Sequence, residues 1–400
     1  MGVEGLVEGD AETPDGGRPV FLGRSSAAAF ISEVRGNSLK RRRGDDGVRV
    51  PSTNSPASQT SRLSRRAEVD IADLMQQLLL PPRRVADHHL EYYWKYLYPF
   101  NPIFHRATFN QRYEEIWTQN LPTTSSPSGP SPEIEDADAI RAFYSLFNIL
   151  IALGSLHSTP SPEGRSTSSK AVTGDTFFNR AENLITERTM SHNTILSVQV
   201  YILMAHYLQI TGKVNKCWVM VGTAIRIAQG LGIHLSSASE SQAQQQERRR
   251  TWSFCLQMDR ILGMMFGRQP MAWPHAPDPV PALCDDELLS MEPFSSIRSI
   301  PRNEESVLGY FVYSVRYSEL LLEVLKVVYT QDVANSAYQG GFRLETYFEL
   351  LRLDSLIGEW YSQLPPHLVV QADEDFVGEA TVTSQAVAML CRYALPSVAF

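Results

Sequence analysis

Between Ser197 and Gly267 the chain carries three linked apolar blocks with helical spacing. They are SVQVYILMAHYLQITGK from Ser197 to Lys213, CWVMVGTAIRIAQGLGIHL from Cys217 to Leu235, and ERRRTWSFCLQMDRILGMMFGRQPM from Glu247 to Met271. Apolar residues recurring at i, i+3, i+4 and i+7 form one face of a helix, whereas a half-buried strand needs strict alternation. No alternating run and no hairpin dipeptide between β-branched segments occurs anywhere in the chain. The fold class expected is all-α. Helices joined by short turns predict an array or bundle of antiparallel helical hairpins.

The same reading extends outward from these blocks. Residues 1–68 are rich in Gly, Ser, Pro and charge and are predicted to be a disordered N-terminal region with a basic cluster. Residues 69–85 read as a short helix, Asp70 to Leu80, ended by Pro81-Pro82 and followed by a linker. Residues 86–400 read as one helical domain. An aromatic amphipathic helix, DHHLEYYWKYLY, is stopped by Pro99, and another begins near Arg106 or Thr108. A long helix from Asp136 to His157 places Ile140, Phe143, Tyr144, Phe147, Leu150 and Ile151 on one face. Further helices are expected over about 173–190, 193–211, 214–231, 245–266, 304–332, 341–363 and 379–398. The last carries apolar residues to the end of the chain, which predicts that this end is truncated, covered by a partner or re-packed.

Charge and cysteine usage exclude several classes. Thirty-six Lys+Arg against forty-four Asp+Glu give a net charge of −8, which argues against wholesale attraction to nucleic acid or membrane. No apolar run is long enough to span a bilayer. The four cysteines, Cys217, Cys255, Cys284 and Cys391, are scattered, and no Cys-x2-Cys pair occurs. Structural zinc needs ligands at short local spacings, so no metal or other cofactor is expected, and the thiols read as buried and reduced. Gly222, Gly230 and Gly232 follow no strand and form no phosphate-binding loop. Gly230 and Gly232 read as helix ends at positive φ, and Gly222 as a close helix–helix contact. His105, His206 and His234 read as satisfied core histidines. No nucleophile elbow or acid–base set stands out, so the chain is expected not to be an enzyme.

Four segments, in order, resemble the regulatory middle homology domain of fungal-specific transcription factors. They are Tyr98–Phe109 (YPFNPIFHRATF), Ser197–Lys213, Gly222–Leu235 and Glu247–Met271. Each motif alone is amphipathic helix punctuated by glycine; their order over about Leu90 to Ala272 carries the likeness. The family normally joins this domain to a zinc cluster with six cysteines, and residues 1–89 contain none. The resemblance implies a nuclear transcription regulator controlling a fungal pathway or secondary-metabolite gene cluster. It would act through a partner factor or homodimer, reach promoter DNA indirectly, and respond to a possible small-molecule effector. A non-DNA-binding adaptor, or a negative regulator that titrates a partner, is the alternative.

Two groups of residues are singled out. Lys40, Arg41, Arg42 and Arg43 form the main basic concentration and are assigned to nuclear import, against a plain solvated tail. Arg226, Trp252, Asp259 and Arg260 are assigned to the structural core, with Asp259 expected to pair with an arginine such as Arg226 and hold hairpins in register. The alternative is that Arg248, Arg249 and Arg250 form a solvated face and pair locally. Met264, Met265, Phe266, Trp252 and Trp273 read either as plain core or as the lining of an adaptable apolar pocket.

Overall fold

The computed structural model describes residues 80–118, 134–158, 174–185, 193–235, 239–272, 280–295, 299–303, 306–328, 344–370 and 384–392. Among these residues the fold is all-α, without a strand. The helices are α1 (Arg83–Tyr92), α2 (Arg106–Thr118), α3 (Ile134–Ser155), α4 (Gly174–Leu184), α5 (Ile195–Ile210), α6 (Val214–Gly230), α7 (Gln242–Phe266), α8 (Gly309–Val328), α9 (Leu344–Ser362) and α10 (384–392). A π-helical turn, Tyr93–Leu97, prolongs α1, and single 3-10 turns lie at Asp286–Leu288 and Pro366–Leu368. The helix expected over 70–80 and the basic cluster at 40–43 lie outside the described residues, apart from Leu80.

Local sequence sets the helix ends. Ser241 caps α7: its Oγ accepts the Gln244 N–H at 3.2 Å, and the Gln244 side chain accepts the Ser241 N–H at 3.0 Å. Gly267 then ends α7 in the left-handed region at φ 64, where a side chain would be strained. Gly212 and Gly232 take φ 74 and 62. Gly230, expected at positive φ, stays within α6, and Leu231 follows at φ −80, so the reversal is delayed to Gly232.

Packing runs from α1 through α3, α5 and α7 to α8 and α9. The middle of α3 meets the end of α4 through Ser145 Oγ, which donates to Ala181 O at 2.7 Å. The end of α3 meets the start of α4, where a Cβ on Gly174 would lie 2.5 Å from Ser155 Oγ. These two helices therefore run in opposite senses. So do α5 and α6, joined by Thr211–Lys213 and tied by Cys217 Sγ donating to Ala205 O at 3.2 Å. By contrast α7 and α8, separated by residues 267–308, meet where Arg260 donates to Ser318 at 2.8 Å.

Helix α5 is wrapped by α3, α6 and α7. Eleven of its sixteen residues are buried, including Val198, Ile202, Leu203 and Leu208. A helix apolar on every side belongs inside, and each such side chain contributes roughly 1.5–3 kcal/mol by leaving water. The main core joins α1–α7 to Leu308, Phe311 and Val315 of the α8 region. A second cluster gathers Tyr310, Tyr313, Tyr317, Trp360 and Met389. Met389 brings α10 into this cluster, while Val387 and Leu390 remain partly exposed.

One tight helix crossing lies outside the quoted motifs. A Cβ on Gly154 of α3 would stand 2.0 Å from His89 O of α1, so only glycine permits the approach. Gly222, expected to serve this purpose, has only Met271 Cε at 3.9 Å from such a Cβ, an ordinary contact.

Candidate functional site

The segment Tyr98–His105 is irregular, and Pro99 and Pro102 remove two of its backbone donors. Its buried carbonyls must therefore find side-chain partners. Gln199 of α5 and Thr251 of α7 both donate to Ile103 O, at 3.2 and 3.0 Å. Gln385 of α10 donates to Pro99 O and to Val307 O, each at 3.1 Å. His105 lies just before α2, and its Nδ1 accepts the Thr108 N–H at 3.3 Å and meets the Thr108 hydroxyl at 2.8 Å.

Asp286 is the charged centre of this hub. Arg250 of α7 donates to its Oδ1 at 2.5 Å, and Tyr98 and the Arg106 N–H donate to its Oδ2 at 2.7 and 3.1 Å. Arg250 also donates to Cys284 O at 3.4 Å. Arg250 is 2 % exposed and Asp286 9 %, so this ion pair is buried. Burial opposes ionisation of Asp286, but the Arg250 guanidinium, Tyr98 and the Arg106 N–H outweigh it and hold the pKa below its ordinary value. The Tyr98 hydroxyl is pushed well upward by burial and by the neighbouring carboxylate. Glu247 stands nearby with Gln199 Nε2 at 2.9 Å, and burial raises its pKa.

The N-terminal half of α7 also carries glutamines that replace missing backbone partners. Gln246 Oε1 accepts the Ala282 N–H at 2.7 Å, and Gln242 Oε1 accepts the Ser290 N–H at 3.0 Å. These anchors hold the 280–290 segment along α7. Their sequence signal is a glutamine run just inside a helix start, which reads as ordinary solvated helix until the facing loop is known.

Of the residues assigned to the core, Trp252, Asp259 and Arg260 are buried, at 4, 2 and 2 % exposure. Arg226 is exposed on α6 and donates to Gln229 at 3.3 Å. It does not meet Asp259: Ile225 and Ile227 take the inward positions, leaving the arginine outward. Asp259 instead accepts the Ala272 N–H at 2.9 Å, with a further hydrogen bond from the Met271 backbone. Burial raises its pKa, and those backbone donors and Arg260 act against the rise. The arginine run divides: Arg250 enters the core, while Arg248 bonds Glu240 at 2.6 Å and Gly232 O at 2.5 Å.

The hub's carboxylate is saturated by donors, and its thiol neighbour Cys284 is buried with a raised pKa. Cys217 is pushed to about 12, and burial also raises Cys255, so these thiols stay protonated. Cys391 is exposed. His206 packs edge-on against Phe254 at 5.7 Å. Burial pulls its pKa to about 4, partly opposed by Gln209. Among the described residues no cluster of three or more His, Cys, Asp or Glu could hold a metal, and no helix is long and apolar enough to cross a membrane. Phe266 is buried, Met264 and Met265 are partly buried against the two clusters, and Trp273 lies outside the described residues.

The fungal specific transcription factor domain matches residues 90–361. The cutinase transcription factor 1 alpha of Fusarium vanettenii is 23 % identical over 95 % of this chain and 38 % of its own length. The sorbicillinoid biosynthetic cluster transcription factor 2 of Penicillium rubens is 26 % identical over 47 % of this chain and 26 % of its own. The sorbicillinoid biosynthetic cluster transcription factor sor3 of Hypocrea jecorina is 28 % identical over 45 % and 25 %. The aligned part of this chain thus spans only about a quarter to two-fifths of these relatives. No solved structure matches. The matched region includes the Tyr98–Arg106 segment, all of α7 and Asp286, and covers well over half of the sequence: the chain belongs to the fungal specific transcription factor domain family.

Proposed function

We propose that this chain is the regulatory body of a nuclear transcription regulator that controls a fungal pathway, with a secondary-metabolite gene cluster as the favoured target. The observation that carries this reading is the family match over residues 90–361. Two relatives named for sorbicillinoid biosynthetic clusters support the choice of target. The reading assigns no reaction: the buried hub works as architecture.

Residues 1–216 contain no cysteine, so they hold no thiolates for a zinc cluster. Contact with promoter DNA is proposed to run through a partner transcription factor or a homodimer. Lys40–Arg43 is the assigned import signal, and its deletion in a tagged protein shifts the protein to the cytoplasm if the assignment holds.

The deciding experiment is deletion of the gene followed by transcript profiling. Coordinated change in a set of co-located pathway genes supports the reading, and an unchanged transcriptome defeats it. The alternative is a negative regulator that titrates a partner. In that case deletion raises the target transcripts and overexpression lowers them.

A further inference from the structure

Tyr98, the Pro99 and Ile103 carbonyls and the Arg106 backbone N–H all bond within the hub, but the Arg106 side chain does not. Arg106 gives its backbone N–H to Asp286, yet among the described residues its guanidinium has no anionic partner, and it lies 4.9 Å above the Trp94 ring. That side chain faces a groove of about 530 Å³ between α1, its π-helical extension and α2, within the size range of small-molecule sites. The floor is apolar and well packed: Leu90 and Tyr113 are buried, and Trp94 is half-buried.

The groove is polarised along its length. At one end Arg83 grips Glu114 through two hydrogen bonds of 2.6 and 2.7 Å, and Tyr113 donates to Asp87 at 2.5 Å, so those carboxylates are already engaged. At the other end stand Arg106 and Lys95, which form no ion pair among the described residues, with Asn110 lining the groove from α2. Glu91 lies between the two ends. Independently, Trp94 and Lys95 belong to the π-helical turn, which closes Tyr98 N–H onto Tyr93 O at 2.9 Å. Such turns are rare, and they concentrate where side chains are re-aimed for function.

We propose that this groove binds a planar organic acid. Its ring sits in the groove beside Trp94 and the guanidinium stacked on it, its carboxylate is held by Arg106 and Lys95, and Asn110 or Glu91 meets a ring hydroxyl or amide. A guanidinium stacked on an indole is held in place before a ligand arrives, so the ligand has less ordering to impose. This deepens the regulatory reading, since such a ligand would be the effector of the domain. Binding itself is measured on the purified chain, so it stands or falls separately from the transcript experiment.

The test is calorimetric titration of the full chain with 2-naphthoate, and with 2-naphthamide as its uncharged counterpart. Saturable binding of the acid is expected, with the amide weaker by about ten-fold or more, because a charge-assisted contact is lost. Arg106→Gln should weaken the acid by about ten-fold or more, and adding Lys95→Gln should weaken it further. The exposed Arg352→Gln on α9 should bind as the native chain does. Absence of saturation at millimolar acid, or unchanged binding by Arg106→Gln with its helix content intact, overturns the proposal.

Discussion

Arg250 and Asp286 meet at 2.5 Å across thirty-six residues of sequence, and both are almost completely removed from water. Taking either away strands the other charge. Arg250→Ala or Asp286→Ala should each cost about 3–5 kcal/mol in urea unfolding. The double variant Arg250→Met/Asp286→Leu should recover much of that loss, because it removes the burial penalty along with the attraction. If the double variant is as unstable as the sum of the singles, the pair is not acting as a unit.

Gly154 of α3 and Gly222 of α6 should respond oppositely to alanine. Gly154→Ala drives a methyl group into the His89 carbonyl, and about 3 kcal/mol or more should be lost as α1 is pushed off α3. Gly222→Ala meets only a flexible methionine tip inside a helix and should gain about 0.5–1 kcal/mol. Thermal unfolding of the two variants side by side decides the matter.

Asp259→Ala should lower stability by about 1–3 kcal/mol, because the Ala272 N–H loses its acceptor in a buried place. Asp259→Asn keeps an acceptor and relieves the cost of a buried charge, so its loss should be smaller. Arg226→Ala should change little, since its side chain is exposed and bonds only its own helix. A loss from Arg226→Ala equal to that from Asp259→Ala would restore the interhelical pair.

His206 should make the fold acid-sensitive in a defined window. Its pKa falls from 6.5 to about 4 on folding, so the unfolded chain takes the proton first. Stability is present above pH 6.5 and is lost as the pH falls from there towards 4, by up to about 3 kcal/mol. Glu247 contributes with the opposite sign, since burial raises its pKa, and His157 lies within electrostatic reach of His206. Comparing native and His206→Gln stability at pH 7 and pH 5 cancels those shared contributions. The native chain should lose more than the variant over that interval.

The helices of the middle region could be read closely from the sequence. Residues 193–211 and 214–231 were expected, against Ile195–Ile210 and Val214–Gly230 in the structure, because apolar period and glycine stops are local signals. The expected start at residue 245 fell three residues late because the capping serine, Ser241, precedes a polar glutamine run that shows no apolar face. Burial of Trp252 and Arg260 follows from their place in an apolar helical block. What Asp259 touches does not: its partner is a backbone N–H beyond a left-handed turn. The Gly154 crossing and the π-helical turn likewise depend on which helix lies opposite, and no single segment encodes that.

The contacts of α7 restrict the length of the segment between its two anchors. Arg250 and Asp259 are nine residues apart, and at about 100° per residue they point to opposite sides of the helix. One side holds Ala272 and the other Asp286, so α7 is anchored on two opposite faces. Inserting or deleting one residue between positions 250 and 259 would swing one anchor about 100° away from its partner while leaving the helix intact. A one-residue change within α7 should therefore release one of these anchors without melting the helix.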